Sequence, residues 1–202
     1  MKIILVGLTS PYRGGISHFT TTLYRHLQKK HDTRLISFSR LYPSLFFPGK
    51  TQYDTAESSF KATPAYAIDT LNPLTWAKAR SSIREFHPDL IVFMWWSPAT
   101  APCYFSIAGT LKSSFRGKIA FYCHNVFPHE NHWLATKLSS LALGSADLFL
   151  THAESDEQTL KRNFPHIPVK KTFPPPYDIF PKKGISQETA RNILGIRSDI
   201  IL

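Results

Sequence analysis

Three short stretches carry residue types suited to chemistry, and each follows directly on an apolar run. In YCHNVFPHENHW (122–133), His124 emerges behind KIAFYC. An imidazole at that point can donate or accept a hydrogen bond near neutral pH, and a purely structural bond to a loop carbonyl is its other use. His124, His129 and His132 could also be read as zinc ligands, but no cysteine accompanies them and no helical H-x-x-x-H spacing is present, so no metal site is expected. In GLTSPYRGGISHF (7–19), Gly14 and Gly15 place side-chain-free backbone N–H groups at the start of a helical pattern. Such a start can take a phosphate; a turn that needs glycine only for its geometry is the alternative. The spacing is neither G-x-G-x-x-G nor a P-loop, which removes support from dinucleotide binding and ATP hydrolysis. In MWWSPATAP (94–102), Trp95 and Trp96 could turn flat faces to a sugar or a lipid. Consecutive strand residues point to opposite faces, so one of the two belongs to the core. No G-x-S-x-G elbow occurs, and Cys103 and Cys123 lie in apolar surroundings, so nucleophilic catalysis has no candidate.

The elements that must position these residues alternate. KIILVG (2–7) is a continuous run of the kind buried on both sheet faces. Ile16, Phe19, Leu23 and Leu27 then recur at helical spacing. TRLISFS (33–39) is the next strand, and 40–70 follows with three prolines, many aromatics and no sustained period. Asn72 and Pro73 suit the N-cap and first position of a helix whose inner face is Trp76, Ala79, Ile83 and Phe86. The strand HPDLIVFMWW, a helix through PATAPCYFSIAGTLKSSF and the strand KIAFYC come next, followed by the helix HWLATKLSSLALGSA and the strand DLFLT. In HAESDEQTLKRNF, acidic residues open a helix and Lys161 and Arg162 close it, matching the helix dipole. IPVKKTF is a further strand, FPPPYDIFPKKG an extended linker, and SQETARNILGI a helix capped by Ser186 with Thr189. Strands alternating with helices predict an α/β fold, a parallel sheet with helices on both faces. No internal repeat is visible, and DIIL at the end reads as the opening of another buried strand.

Composition bounds the partners. The 202 residues are 43% hydrophobic and 19% charged, which describes a globular chain with one good core. Fifteen Phe, eight Tyr and four Trp exceed what a minimal core requires, so some should face a ligand, a partner or a membrane. The formal charge of +10 favours anionic surfaces and phosphate-bearing substrates. Its positive residues are scattered over helix ends and loops, a pattern that argues for an anionic membrane surface or substrate and against nucleic acid. Two cysteines form no disulfide framework, the N-terminal apolar run is too short for a signal peptide, and no run approaches a spanning helix. A cytoplasmic location is expected, with peripheral contact at the inner face of the membrane.

In their order, KIILVG with GGISHF, FHPDLIVF, HN after IAFYC, SADLFLTHAESDEQTLK, KTFPPPYDIF and ARNILGI resemble the N-terminal domain of the group 1, family 4-like glycosyltransferases of the GT-B architecture. The resemblance implies a Rossmann-like acceptor-side domain over residues 1–180. It assigns 181–202 to a linker, a short helix and the first strand of a C-terminal donor-binding domain. It implies retaining transfer from a nucleotide-diphosphate sugar to a polysaccharide or lipid-linked acceptor, without cofactor or metal. Gly14 and Gly15 would lie against the donor diphosphate and His124 would be the catalytic-site histidine beside the transferred sugar. His18, Trp95, Trp96 and Asn125 would contact acceptor or sugar. The donor-gripping Glu-x7-Glu of such enzymes is missing: Glu57, Glu85, Glu130, Glu154, Glu157 and Glu188 include no two that stand eight positions apart. Half a cleft cannot orient two reactants, so the chain alone is expected to be inactive. A non-catalytic module that docks a protein or membrane through the 40–70 loop, and a sugar-nucleotide epimerase, are the competing readings.

Overall fold

The β-branched run at the N-terminus becomes β1, Lys2–Val6, whose last four residues are buried. Around it the computed structural model, which describes residues 1–42, 53, 62–127, 133–174 and 184–197, builds a seven-stranded sheet in the order β3-β2-β1-β4-β5-β6-β7. The strands are β2 (Asp32–Arg40), β3 (Tyr66–Asp69), β4 (Leu90–Trp95), β5 (Lys118–Cys123), β6 (Leu148–Thr151) and β7 (Val169–Lys171), and every pairing is parallel. Helices α1 (Gly15–Leu27), α2 (Pro73–Phe86), α3 (Ala101–Lys112), α4 (Trp133–Leu143) and α5 (Glu154–Asn163) alternate with them, and α6 spans Gln187–Leu194. This is the expected Rossmann-like α/β fold.

Alternation along each strand divides the core in two. Ile4, Val6, Ile91, Phe93, Trp95, Phe121 and Phe149 turn toward α2, α3 and α4, packing with Ile83, Tyr104, Ile107 and Leu143. Ile3, Leu5, Val92, Met94, Ala120 and Tyr122 turn the other way, toward Phe19 and Tyr24 of α1. The strand order reverses direction between β1 and β4, and there the fully buried Tyr104 reaches in from α3. Its hydroxyl donates to the carbonyls of Val6 at 3.2 Å and Met94 at 3.1 Å, tying the two strands together.

Three details go beyond the expectations. The apolar residues Ile16, Phe19, Leu23 and Leu27 of α1 pack against the core, Phe19 buried and the other three half-buried, and the helix also buries Ser17, Thr20, Thr21, Thr22 and Tyr24. Thr20 and Thr21 donate to the carbonyls one turn back, Ile16 O at 2.8 Å and Ser17 O at 2.7 Å, so their polar atoms are satisfied inside the helix, and the Thr20 methyl lies against Gly7 at the end of β1. Second, the 40–70 stretch contains β3, an edge strand four residues long, too short to show a period. Asp69 anchors it: its carboxylate takes the Arg40 guanidinium (Nε at 2.9 Å) and its carbonyl accepts Trp76 Nε1 at 2.8 Å. Third, the expected last helix forms with its expected cap, Ser186 Oγ accepting Thr189 N at 3.1 Å, and it buries none of its residues. The rest of the aromatic stretch (43–52 and 54–61), most of the linker (175–183) and the expected final strand (199–202) lie outside the described residues.

Candidate active site

Register alone lines up the carboxyl ends of four strands. Trp95 pairs with Cys123, Cys123 with Thr151 and Thr151 with Lys171, so Trp96, His124, His152 and Thr172 form one row just beyond the sheet. Residues two apart share a face, so His124 emerges on the same face as Tyr122, toward α1. There the rings close on one another. Phe19 meets His124 edge-on at 4.8 Å and His152 at 5.3 Å; Tyr122 stacks on His124 at 5.5 Å; the two imidazoles stand 5.6 Å apart. The Tyr122 hydroxyl is in hydrogen-bond contact with Thr172 Oγ1, and Thr172 O accepts from His152 Nδ1 at 3.4 Å. Thr172 thereby draws β7 into the cluster.

Both imidazoles are neutral at physiological pH. Burial pushes His124 down from the usual 6.5 to about 4, with the neighbouring His152 adding to the effect. Burial also lowers His152, opposed by its bond to Thr172. The Nε2 atoms of both rings are buried and have no hydrogen-bond partner among the described residues. A neutral His152 that donates from Nδ1 has only a lone pair at Nε2, so it can accept a hydroxyl proton there. The neutral pair supplies no positive charge for an anion.

An anion would find its partner one helical turn away. Gly14 is the N-cap of α1 with φ 114°, a conformation that favours glycine, while a Cβ added there would meet nothing within 4 Å. The requirement is conformational, and the result is an exposed helix start with no side-chain cap among the described residues, a start of the kind that leaves its first N–H groups for an anion. Tyr12 holds the loop before it by a bridge to Tyr53, their rings 4.9 Å apart. His18 lies on the first turn, half-buried, its N–H on Gly14 O at 3.2 Å. Among the described residues, the rings against His124 are those of Phe19, Tyr122 and His152, not His18.

The structure separates the two tryptophans. Trp95 is a correction: it is 0% exposed on the α3 side and its Nε1 donates to Val126 O at 3.0 Å, so it has no face to offer a sugar. Trp96 remains half-buried at the edge, edge-on to Phe38, and Asn125 is exposed. The residue the sequence reading missed is His152, whose placement depends on β6 lying beside β5. His129 and His132 lie outside the described residues, and among those described no three His, Cys, Asp or Glu side chains form a metal-ligating group. Cys103 and Cys123 are buried free thiols, with Cys103 pushed up to about 12 by burial.

Solved structures of similar shape share this framework. A UDP-GlcNAc 2-epimerase from Methanocaldococcus jannaschii matches at a TM-score of 0.56 and 14% identity, over 80% of this chain and 42% of its own. An alpha-glucosyltransferase in complex with UDP and a 13-mer DNA gives 0.53 and 14%, over 84% and 40%. The catalytic domain of starch synthase IV from Arabidopsis thaliana, bound to ADP and acarbose, gives 0.53 and 13%, over 99% and 60%. At these identities the likeness is one of fold, and the chain spans less than two thirds of each. No curated protein sequence matches the chain. The profile of Glycosyltransferase Family 4 does, over residues 13–174, from the glycine loop through β7, and the chain belongs to that family.

Proposed function

We propose that this chain is the acceptor-side domain of a glycosyltransferase that moves a sugar from a nucleotide-diphosphate donor to a polysaccharide or lipid-linked acceptor, without cofactor or metal. The observation that carries the reading is the juxtaposition of an exposed helix start at Gly14 and Gly15 with two half-buried, neutral imidazoles packed on Phe19 one turn along the same helix. The helix start suits the donor diphosphate, and His124 suits a sugar hydroxyl whose hydrogen bond strengthens as positive charge develops on the ring. Trp96, Asn125 and His18 line the acceptor side of the same edge. A donor-binding domain with a carboxylate pair completes the cleft, and without it the chain binds no donor tightly and transfers nothing.

The test uses a panel of sugar nucleotides with the 202-residue chain, alone and within a two-domain protein. The expectation is no turnover by the chain alone and chelator-insensitive transfer by the two-domain protein, reduced about a hundredfold by His124→Ala. Transfer by the chain alone would overturn the half-cleft reading. Transfer unaffected by His124→Ala would remove His124 from the mechanism.

An anionic membrane surface is part of the same proposal, since a lipid-linked acceptor resides there. Trp133, Leu134 and Leu141 of α4 are 75%, 53% and 46% exposed, beside Phe105 of α3 at 45%. No described helix is long and apolar enough to cross a membrane.

A further inference from the structure

At the opposite pole from His124, the amino ends of β4 and β5 and the C-terminal ends of α2 and α3 enclose a groove of about 780 Å³. That volume lies within the range of small-molecule sites, roughly 300–1,000 Å³. Its floor is apolar, formed by Ile83, Leu111 and Phe115, and its lining includes Arg84, Arg116 and Lys118. The wall is tightly built: a Cβ on Gly117 would stand 2.4 Å from Phe115 Cζ and 2.6 Å from Asp89 O, so the turn into β5 is pressed down on the one into β4.

Three cations converge on this groove. Ion pairs form at Arg40 with Asp69, Lys161 with Glu157 and Lys171 with Glu154. Here Arg84, Arg116 and Lys118 line one space, and none forms a salt bridge or side-chain hydrogen bond among the described residues. The single carboxylate of the lining, Asp89, already accepts Lys2 N at 2.7 Å. Basic residues commonly gather at helix C-termini to match the dipole; here Arg84 O accepts His87 N, Leu111 O accepts Ser114 and Phe115 N, and Phe86 O accepts Lys2 Nζ at 3.3 Å, so Arg84, Arg116 and Lys118 are not the donors to these carbonyls. Two helix ends carry about half a negative charge each, and with Asp89 they leave the three cations in excess.

We propose that this groove binds a small amphipathic anion, one phosphate or carboxylate group held by Arg84 and Arg116 with an apolar body on Ile83, Leu111 and Phe115. Guanidinium groups pair with either anion in a bidentate manner. The site is separate from the carboxyl edge and independent of the transferase reading.

The experiment titrates the 202-residue chain with octyl phosphate, inorganic phosphate and octyl glucoside, followed by amide chemical shifts. Saturable binding of octyl phosphate is expected, with shifts centred on 83–89 and 111–118. Inorganic phosphate and octyl glucoside should each bind at least tenfold more weakly. Arg84→Ser with Arg116→Ser should weaken octyl phosphate at least tenfold while leaving the unfolding midpoint unchanged, because both side chains are exposed. Unaltered affinity in that variant, equal binding of octyl glucoside, or shifts centred on His124 would each overturn the proposal. Equal binding of inorganic phosphate would do the same, by removing any role for the apolar floor.

Discussion

His124 and His152 make the carboxyl edge sensitive to acid. A histidine whose value falls on folding contributes stability that is whole above about 6.5 and is lost as pH drops toward the folded value, because the unfolded chain takes the proton first. With His124 at about 4, the loss from pH 6.5 to 5 is on the order of 2 kcal/mol, or roughly 4–8 °C in the unfolding midpoint of a chain this size. His124→Gln should flatten that fall, and His152→Gln should flatten part of it, as thermal unfolding between pH 7 and 5 would record. An equally steep fall in both variants would place the acid sensitivity elsewhere. The position of His124 was legible because KIAFYC is a clear buried run and the next residue must leave the sheet. His152 was not. Nothing local separates it from a loop histidine until Cys123 pairs with Thr151 and brings the two rings together. For the tryptophans the alternation rule said that one of the pair is core without saying which, since that depends on the side α3 covers.

At the scale of elements, α1 determines how the glycine loop meets the site. Its buried hydroxyl at Thr21 both donates to Ser17 O and accepts Ser10 N at 3.2 Å, so it links the helix interior to the loop that leads to Gly14. Thr21→Val keeps shape and volume but leaves Ser10 N unpaired, an expected cost of about 1–2 kcal/mol in urea unfolding. Exchange of the Ser10 amide should rise with it, whereas protection of α2 should stay as it was. A separate test of α2 is its cap: Asn72 Oδ1 accepts Leu74 N at 3.1 Å, and Asn72→Ala should cost about 1 kcal/mol. That cap was legible because Asn-Pro opens the helix in sequence. The threonine face of α1 was not, because hydrophobic periodicity counts threonine as polar while a hydroxyl bonded within its own helix packs like an apolar side chain. β3 escaped for a different reason, since four residues at a sheet edge are held by Arg40, Asp69 and Trp76 rather than by an alternating pattern.

Across the whole molecule, charge and exposed apolar surface act together. On the proposed membrane reading, the +10 net charge would draw the chain toward an anionic bilayer, but long-range attraction does not fix an orientation. Trp133 and Leu134 can, because both stand out from the start of α4 with Lys137 exposed one turn on. Burying two such side chains in the interface is worth about 2–3 kcal/mol, so Trp133→Ala with Leu134→Ala should reduce partitioning onto phosphatidylglycerol-containing vesicles at least tenfold. High salt should weaken the native chain's binding by screening, and pure phosphatidylcholine vesicles should bind far less. In the native chain, Trp133 emission should shift to the blue on adding anionic vesicles, a change that the other three tryptophans, buried or half-buried in the fold, should not reproduce in the variant. If the double variant bound vesicles as the native chain does, α4 would not be the docking face. If instead the native chain ignored vesicles but formed dimers that the variant could not, the patch would belong to a second copy of the protein.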